Sequence, residues 1–122
     1  MKTGQMSTKT DAIPPRYSPD WIESLDQRTS LARAVRDRLD HLETDLGGRD
    51  SLSYQRRSLA KRIVFHEALI ERQEAAIARG EDVDEGKLTQ ATNTLVGLLK
   101  TVGLERRTRE LTPAEYLKGR AS

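Results

Sequence analysis

The sequence predicts an all-α protein: a long helical hairpin or bundle with a disordered N-terminal arm and a short C-terminal helix, oligomerising through helical seams. Three observations predict it. Apolar residues recur at alternating spacings of three and four along most of the chain, the period of one helix face. Residues that start and stop helices stand at the ends of each such run. No stretch alternates apolar and polar residues over a strand's length, and no repeat of solenoid period is present.

The 122 residues suit one domain. It divides into a flexible arm (1–17), a helical domain (18–111) and a short C-terminal helix or tail (112–122). The arm is polar, closes on Pro14-Pro15 and offers few residues to a core. Ser18-Pro19-Asp20 then supplies a capping serine, a proline at the first helical position and an acid beside the positive end of the helix dipole.

A first helix is expected from Pro19 to Leu46, with Trp21, Leu25, Ala32, Val35, Leu39, Leu42 and Leu46 as its apolar stripe. Thr29-Ser30 can cap and so divide it. Gly47-Gly48 ends it, since glycine adopts the left-handed conformation that closes a helix. A second helix runs from near Ser53 to Arg79-Gly80, with the stripe Leu59, Ile63, His66, Ile70, Gln73 and Ile77. The polar members of that stripe can fix register in a seam. Val64, Phe65, Ala68, Leu69 and Ala76 widen its apolar surface towards a second neighbour. A third helix begins after an Asp84 cap and carries Leu88, Ala91, Leu95, Leu98, Leu99 and Val102. Gly97 inside it weakens the helix by roughly 1 kcal/mol relative to Ala, which close packing would explain. Gly103 is expected to end or kink it. Thr112-Pro113-Ala114-Glu115 has the capping-box pattern of one more short helix, carrying Tyr116 and Leu117.

Charged residues make up 33% of the chain and apolar ones 35%, with only one Trp, one Phe and three Tyr. Aromatics supply much of the buried area in most cores, so a single self-sufficient core is not expected here. A core shared between subunits would lower that demand. Val35, Leu39, Leu42, Leu46, Leu59, Ile63, Ile70 and Ile77 are the expected oligomerisation residues.

No reaction chemistry is legible. Cysteine is absent, which removes thiolate nucleophiles, disulfides and thiolate metal ligands. There is no glycine-rich phosphate loop and no recognisable serine or threonine nucleophile motif. His41 and His66 stand on different helices without metal-site spacing, and His66 in a seam reads as a packed, hydrogen-bonded core histidine. Asp37, Asp40, Glu43 and Asp45 alternate with arginines on an exposed helix face, and Glu81, Asp82, Asp84 and Glu85 surround a helix N-terminus. A non-enzyme without cofactor or metal is expected. No run is long and apolar enough for a membrane span, and the first twenty residues lack a signal's apolar region.

The charge distribution says more than the net +2. Residues 49–80 hold seven Lys or Arg against four Asp or Glu. Arg49, Arg56, Arg57, Lys61 and Arg62 crowd the first turns of the second helix, where free backbone N–H groups also favour phosphate. A solvated face is the competing reading, with arginine stems lying over apolar neighbours. Repetition of the patch by subunit symmetry would favour the phosphate reading. Arg106, Arg107 and Arg109 form a second cluster in the tail.

The stretch IVFHEALIERQEAAIARGEDVDEGKLTQATNTLVGLLKTVGLERRTREL resembles the small subunit of phage terminase. In that family a long helix is followed by a turn, another helix and a Leu-Gly-Leu type element with basic residues after it. Here that element is Val102-Gly103-Leu104-Glu105-Arg106-Arg107-Thr108-Arg109, and the resemblance covers roughly residues 52–111. It implies a packaging component that recognises double-stranded viral DNA, assembles as a homo-oligomeric ring and presents DNA to the large ATPase-nuclease terminase subunit. It also implies the cytoplasm of an infected or lysogenic bacterial host. Many relatives carry an N-terminal helix-turn-helix that this chain lacks, so no DNA contacts are carried over; the basic residues above are named on charge alone. The alternatives are a coiled-coil adaptor or scaffold, and a small DNA-binding regulator without a packaging role.

Overall fold

The computed structural model describes residues 9–104. Three α-helices are present among them: α1 (Ser30–Asp45), α2 (Tyr54–Ala78) and α3 (Glu85–Leu99). A short 3-10 turn, Arg49–Ser51, lies between α1 and α2, and a π-helical turn, Lys100–Leu104, continues α3. Among the described residues there is no strand, only one isolated bridge between Thr10 and Leu25. The all-α class is therefore shown. The helix expected at 112–122 lies outside the described residues, as do Arg106, Arg107 and Arg109.

Each helix starts on a side-chain cap. Thr29 accepts a hydrogen bond from Ala32 N, Ser53 from Arg56 N and Asp84 from Lys87 N, each at 3.1 Å. These caps satisfy N–H groups that have no partner within a helix. The expected starts of α2 and α3 are met. Both stops rest on glycine. Gly47 and Gly48 follow α1 at φ of 119° and 98°, and Gly80 follows α2 at 82°. Glu81 N donates to Ala76 O and Gly80 N to Ile77 O, the paired bonds of a Schellman closure.

The first helix begins eleven residues later than Pro19, at Ser30. Side chains in the preceding stretch capture the carbonyls a continuing helix needs. Ser24 Oγ donates to Trp21 O at 2.6 Å, and Gln27 Nε2 donates to both Ile22 O and Leu25 O at 2.8 Å. Asp26 accepts from Arg28 N and pairs with its guanidinium at 2.9 Å, which turns the chain into the Thr29 cap. The Arg28 bonds hold the Asp26 carboxyl down at about 2.

Residues 9–17 are likewise no free arm. Thr10 and Leu25 form the bridge, Arg72 Nη1 donates to Ile13 O at 2.9 Å, and Ile13 is buried. Segment 9–29 is a strap across α1 and α2. Its anchor is Trp21, fully buried, edge-on to Phe65 at 5.4 Å between ring centres. Tyr17 meets the same Phe65 ring at 5.7 Å. Ile13, Ile22, Leu25, Ala32, Val35, Val64 and Ala68 complete this first apolar cluster.

A second cluster joins the other ends of the helices. Leu46, Leu52, Ala60, Ile63 and Val102 are buried there, with Leu39, Leu42, Leu59, Leu95 and Leu98 packed against them. The start of α1 thus faces the middle of α2 and its end faces the start of α2, while the end of α3 also returns to the start of α2. Each helix runs antiparallel to its sequence neighbour, with α2 central. Arg38 of α1 spans to Glu67 and Glu71 of α2 at 3.8 and 3.0 Å.

The expected seam is consequently occupied within the chain. Val35, Leu46 and Ile63 are buried by the chain itself, and Leu39, Leu42, Leu59 and Ile70 are half-buried. Ile77 alone of the eight is exposed, at 48%. Gly97 is exposed and nothing lies within 4 Å of a Cβ built on it, so close packing does not explain it.

Two outcomes follow from this packing. Gly97→Ala should raise stability by roughly 1 kcal/mol, since an open helical site gains only the lost backbone entropy of glycine; chemical denaturation measures it, and no gain would place a neighbour at that site. Ile13→Asp should loosen the strap and shift the fluorescence of the lone Trp21 to the red; an unchanged spectrum would contradict the docked strap.

Candidate nucleic-acid interface

The strap, α1 and the start of α2 enclose a cleft of about 430 Å³. Tyr17, Pro19, Ile22, Glu23 and Gln27 line it from the strap. Arg36, Leu39, Asp40 and Glu43 line it from α1, at the three-and-four spacing of one helix face. Arg49 comes from the 3-10 turn, and Tyr54, Arg57, Ser58 and Lys61 from the first two turns of α2.

The five basic residues expected around the start of α2 divide into two kinds. Lys61 and Arg62 hold the strap: Lys61 Nζ donates to Pro19 O at 3.1 Å, and the Arg62 guanidinium lies 4.2 Å from the centre of the Tyr17 ring. Arg49 and Arg57 face the cleft, and Arg56 is half-exposed at the Ser53 cap. Arg57 Nε is buried and has no hydrogen-bond partner among the described residues.

Two participants were not legible as site residues. Arg36 joins Arg49 and Arg57 across the helix pair, held by a 2.8 Å bond to Gln27 Oε1. Glu43, expected on an exposed face, is 5% exposed in the wall of the cleft, whereas Asp37, Asp40 and Asp45 are exposed. The available signal was the shared face of residues 36, 40 and 43, once an antiparallel partner was assumed.

Seven charged side chains line the cleft: Glu23, Asp40 and Glu43 against Arg36, Arg49, Arg57 and Lys61. Among the described residues no ion pair within 4.0 Å joins any two of them. The cleft therefore holds cations not neutralised by contact. Burial pushes the Tyr17 phenol above its ordinary 10.0, against the nearby Arg62 cation and the Ser58 hydrogen bond, so it faces the cleft as a neutral group at neutral pH.

His66 lies one helical turn beyond Arg62 on α2, half-buried and edge-on to Phe65 at 5.4 Å. Its Nδ1 is buried without a partner among the described residues, so the expected hydrogen-bonded core histidine is packed but not paired there. Among the described residues no three His, Asp or Glu side chains group as a metal site requires. No described helix is long and apolar enough to cross a membrane.

No family model matches the chain, and no curated protein or solved structure matches it.

Burial first, then the Arg62 cation, lowers the proton affinity of His66 below its ordinary 6.5. The unfolded chain takes up this proton at higher pH than the folded one, so acid favours unfolding. The His66 contribution is whole above pH 6.5 and is lost as pH falls through the lowered value. The urea midpoint should fall over that window, and His66→Gln should flatten the decline; a midpoint slope untouched by the substitution would remove His66 from the account.

Proposed function

We propose that this chain is a non-catalytic, oligomeric DNA-binding component of a phage packaging motor, a small terminase subunit that recognises viral DNA and presents it to the large subunit. The observation that carries the DNA-binding part is the convergence of Arg36, Arg49 and Arg57 beside the N-terminus of α2, with the Arg57 Nε unpaired among the described residues. Guanidinium groups at a helix N-terminus suit phosphate oxygens by charge and by hydrogen-bond geometry. The packaging part rests on the resemblance over residues 52–111. The order it implies, long helix, turn, helix, then an element at Val102-Gly103-Leu104, agrees with α2, the Gly80 turn, α3 and the π-helical turn. The oligomer part now rests on the apolar side chains that the described residues leave open, Ile77 of α2 and Val96 and Leu99 of α3, exposed at 48, 44 and 37%.

Those same exposed side chains favour a second reading, an adaptor whose helices dock on another protein. Salt and mass separate the two. Duplex DNA should bind the full chain with an affinity that falls steeply with salt, and Arg49→Ala with Arg57→Ala should lower the logarithmic salt slope by about 2, one for each lost phosphate contact. Light scattering should return a mass well above the 13.8 kDa of one chain. Salt-insensitive binding, or none to any duplex, would defeat the DNA reading, and a monomer at micromolar concentration would defeat the ring.

A further inference from the structure

We infer that an exposed stripe of α3 docks on the same stripe of a second copy of this chain, the two helices antiparallel about a two-fold axis at Thr92. This deepens the oligomer part of the reading above and rests on it; it does not require DNA.

One stripe of α3 is used within the chain: Ala91 is buried, and Leu95 and Leu98 pack on the second apolar cluster. A second stripe is Glu85, Thr89, Thr92, Val96 and Leu99, all exposed, at the alternating spacings of four and three that share a helix face. Residues 88–99 hold no charged side chain, the longest such run in a chain that is 33% charged. The other two helices differ. α1 shows Arg33, Arg36, Asp37 and Asp40 to water, and α2 shows Glu71, Arg72 and Glu74. A charge-free face can lose its water to a partner without stranding an ion. A copy of itself brings no like charge against it.

Charge at the two ends selects the occupant and its direction. α3 starts on an acid, Glu85, and closes on a base, Lys100, whose φ of −61° and ψ of −42° remain helical. The two stand about 22 Å apart along the helix. Among the described residues neither makes an ion pair. An antiparallel copy crossing at Thr92 brings Glu85 beside Lys100 of the second copy, and does so at both ends, because residue 92 lies midway between them. Val96 then lies over Thr89 of the second copy, methyl against methyl, and the helix dipoles oppose. A parallel copy would set Glu85 against Glu85 and Lys100 against Lys100. The stripe is thus complementary to itself in one direction only, as an isologous contact requires. Such a contact closes on two copies, so a ring would join these pairs through another surface.

Light scattering of the full chain over rising concentration should show association. Val96→Glu with Leu99→Glu, both at exposed sites, should lower the mass about twofold by removing the two-fold contact, with circular dichroism unchanged. Glu85→Lys should raise the dissociation constant about 10-fold, since two attractions become two repulsions. Adding Lys100→Glu to Glu85→Lys should restore association. The chain has no cysteine, so introduced thiols report the register. Thr92→Cys should give a disulfide-linked dimer on mild oxidation. Glu85→Cys alone should not, whereas Glu85→Cys mixed with Lys100→Cys should. No recovery in the doubly reversed variant, no Thr92→Cys dimer, or Glu85→Cys linking to itself would overturn the inference. A monomer at every concentration would also overturn it, and would leave the stripe to residues 105–122 of the same chain or to a foreign protein. An oligomer whose mass is indifferent to the Val96 and Leu99 substitutions sinks this interface alone. The Thr92→Cys dimer without salt-dependent duplex binding sinks the packaging reading alone.

Discussion

The contact of Trp21 with Phe65 is the one on which the rest of the arrangement depends. The chain has five aromatic residues, and three of them, Tyr17, Trp21 and Phe65, meet at this point. Edge-to-face rings bury large area and add a directional term of about 0.5–1.5 kcal/mol per pair. Here they fasten a strap with no regular secondary structure to the middle of α2. Ile13, Ile22 and Leu25 then bury beside the rings, and Lys61 and Arg72 take the strap carbonyls of Pro19 and Ile13. Without this anchor α1 and α2 would meet as an open hairpin. The cleft would lose the wall formed by Tyr17, Ile22, Glu23 and Gln27.

What was legible in the residues was local. Thr29, Ser53 and Asp84 as caps, and Gly47, Gly48 and Gly80 as stops, are short-range hydrogen-bonding and dihedral constraints, and the helices follow them. The residues left open whether the first helix starts at Pro19 or only at the Thr29 cap, because Trp21 and Leu25 stand four apart, as helix neighbours do. Period alone does not distinguish a helix face from a strap whose apolar residues happen to share that spacing. The decision lies with Ser24 and Gln27, which take carbonyls from the backbone ladder. Scarcity of aromatics likewise suggested too small a core, but composition does not report where the few aromatics meet. The stripe residues Val35, Leu46 and Ile63 find one another within the chain, so they do not themselves call for a second subunit.

The site was half legible for the same reason. A run of basic residues at a helix start is visible in the linear chain. Which acids and bases of α1 face it depends on the antiparallel pairing of the two helices, a relation of residue 36 to 57 that no local rule contains. Charge counting also treated Lys61 and Arg62 as equivalent to Arg49 and Arg57. Geometry separates them: the first pair spend their donors or their cationic face on the strap, and the second pair remain directed at the cleft.

This division explains how so polar a cleft can persist in a small domain. The buried Arg57 Nε, without a partner among the described residues, opposes folding. The apolar clusters reach the cleft: Ile22 of the first cluster lines it, with Tyr17 and Leu39 that pack against that cluster. The Arg38 pairing with Glu67 and Glu71 is a partly exposed contact of small energetic weight, so it does not offset the cleft. The burden falls on the two apolar clusters and on the strap. A phosphate group that paired with Arg57 would relieve it, and would couple occupancy of the cleft to the hold of the strap over it.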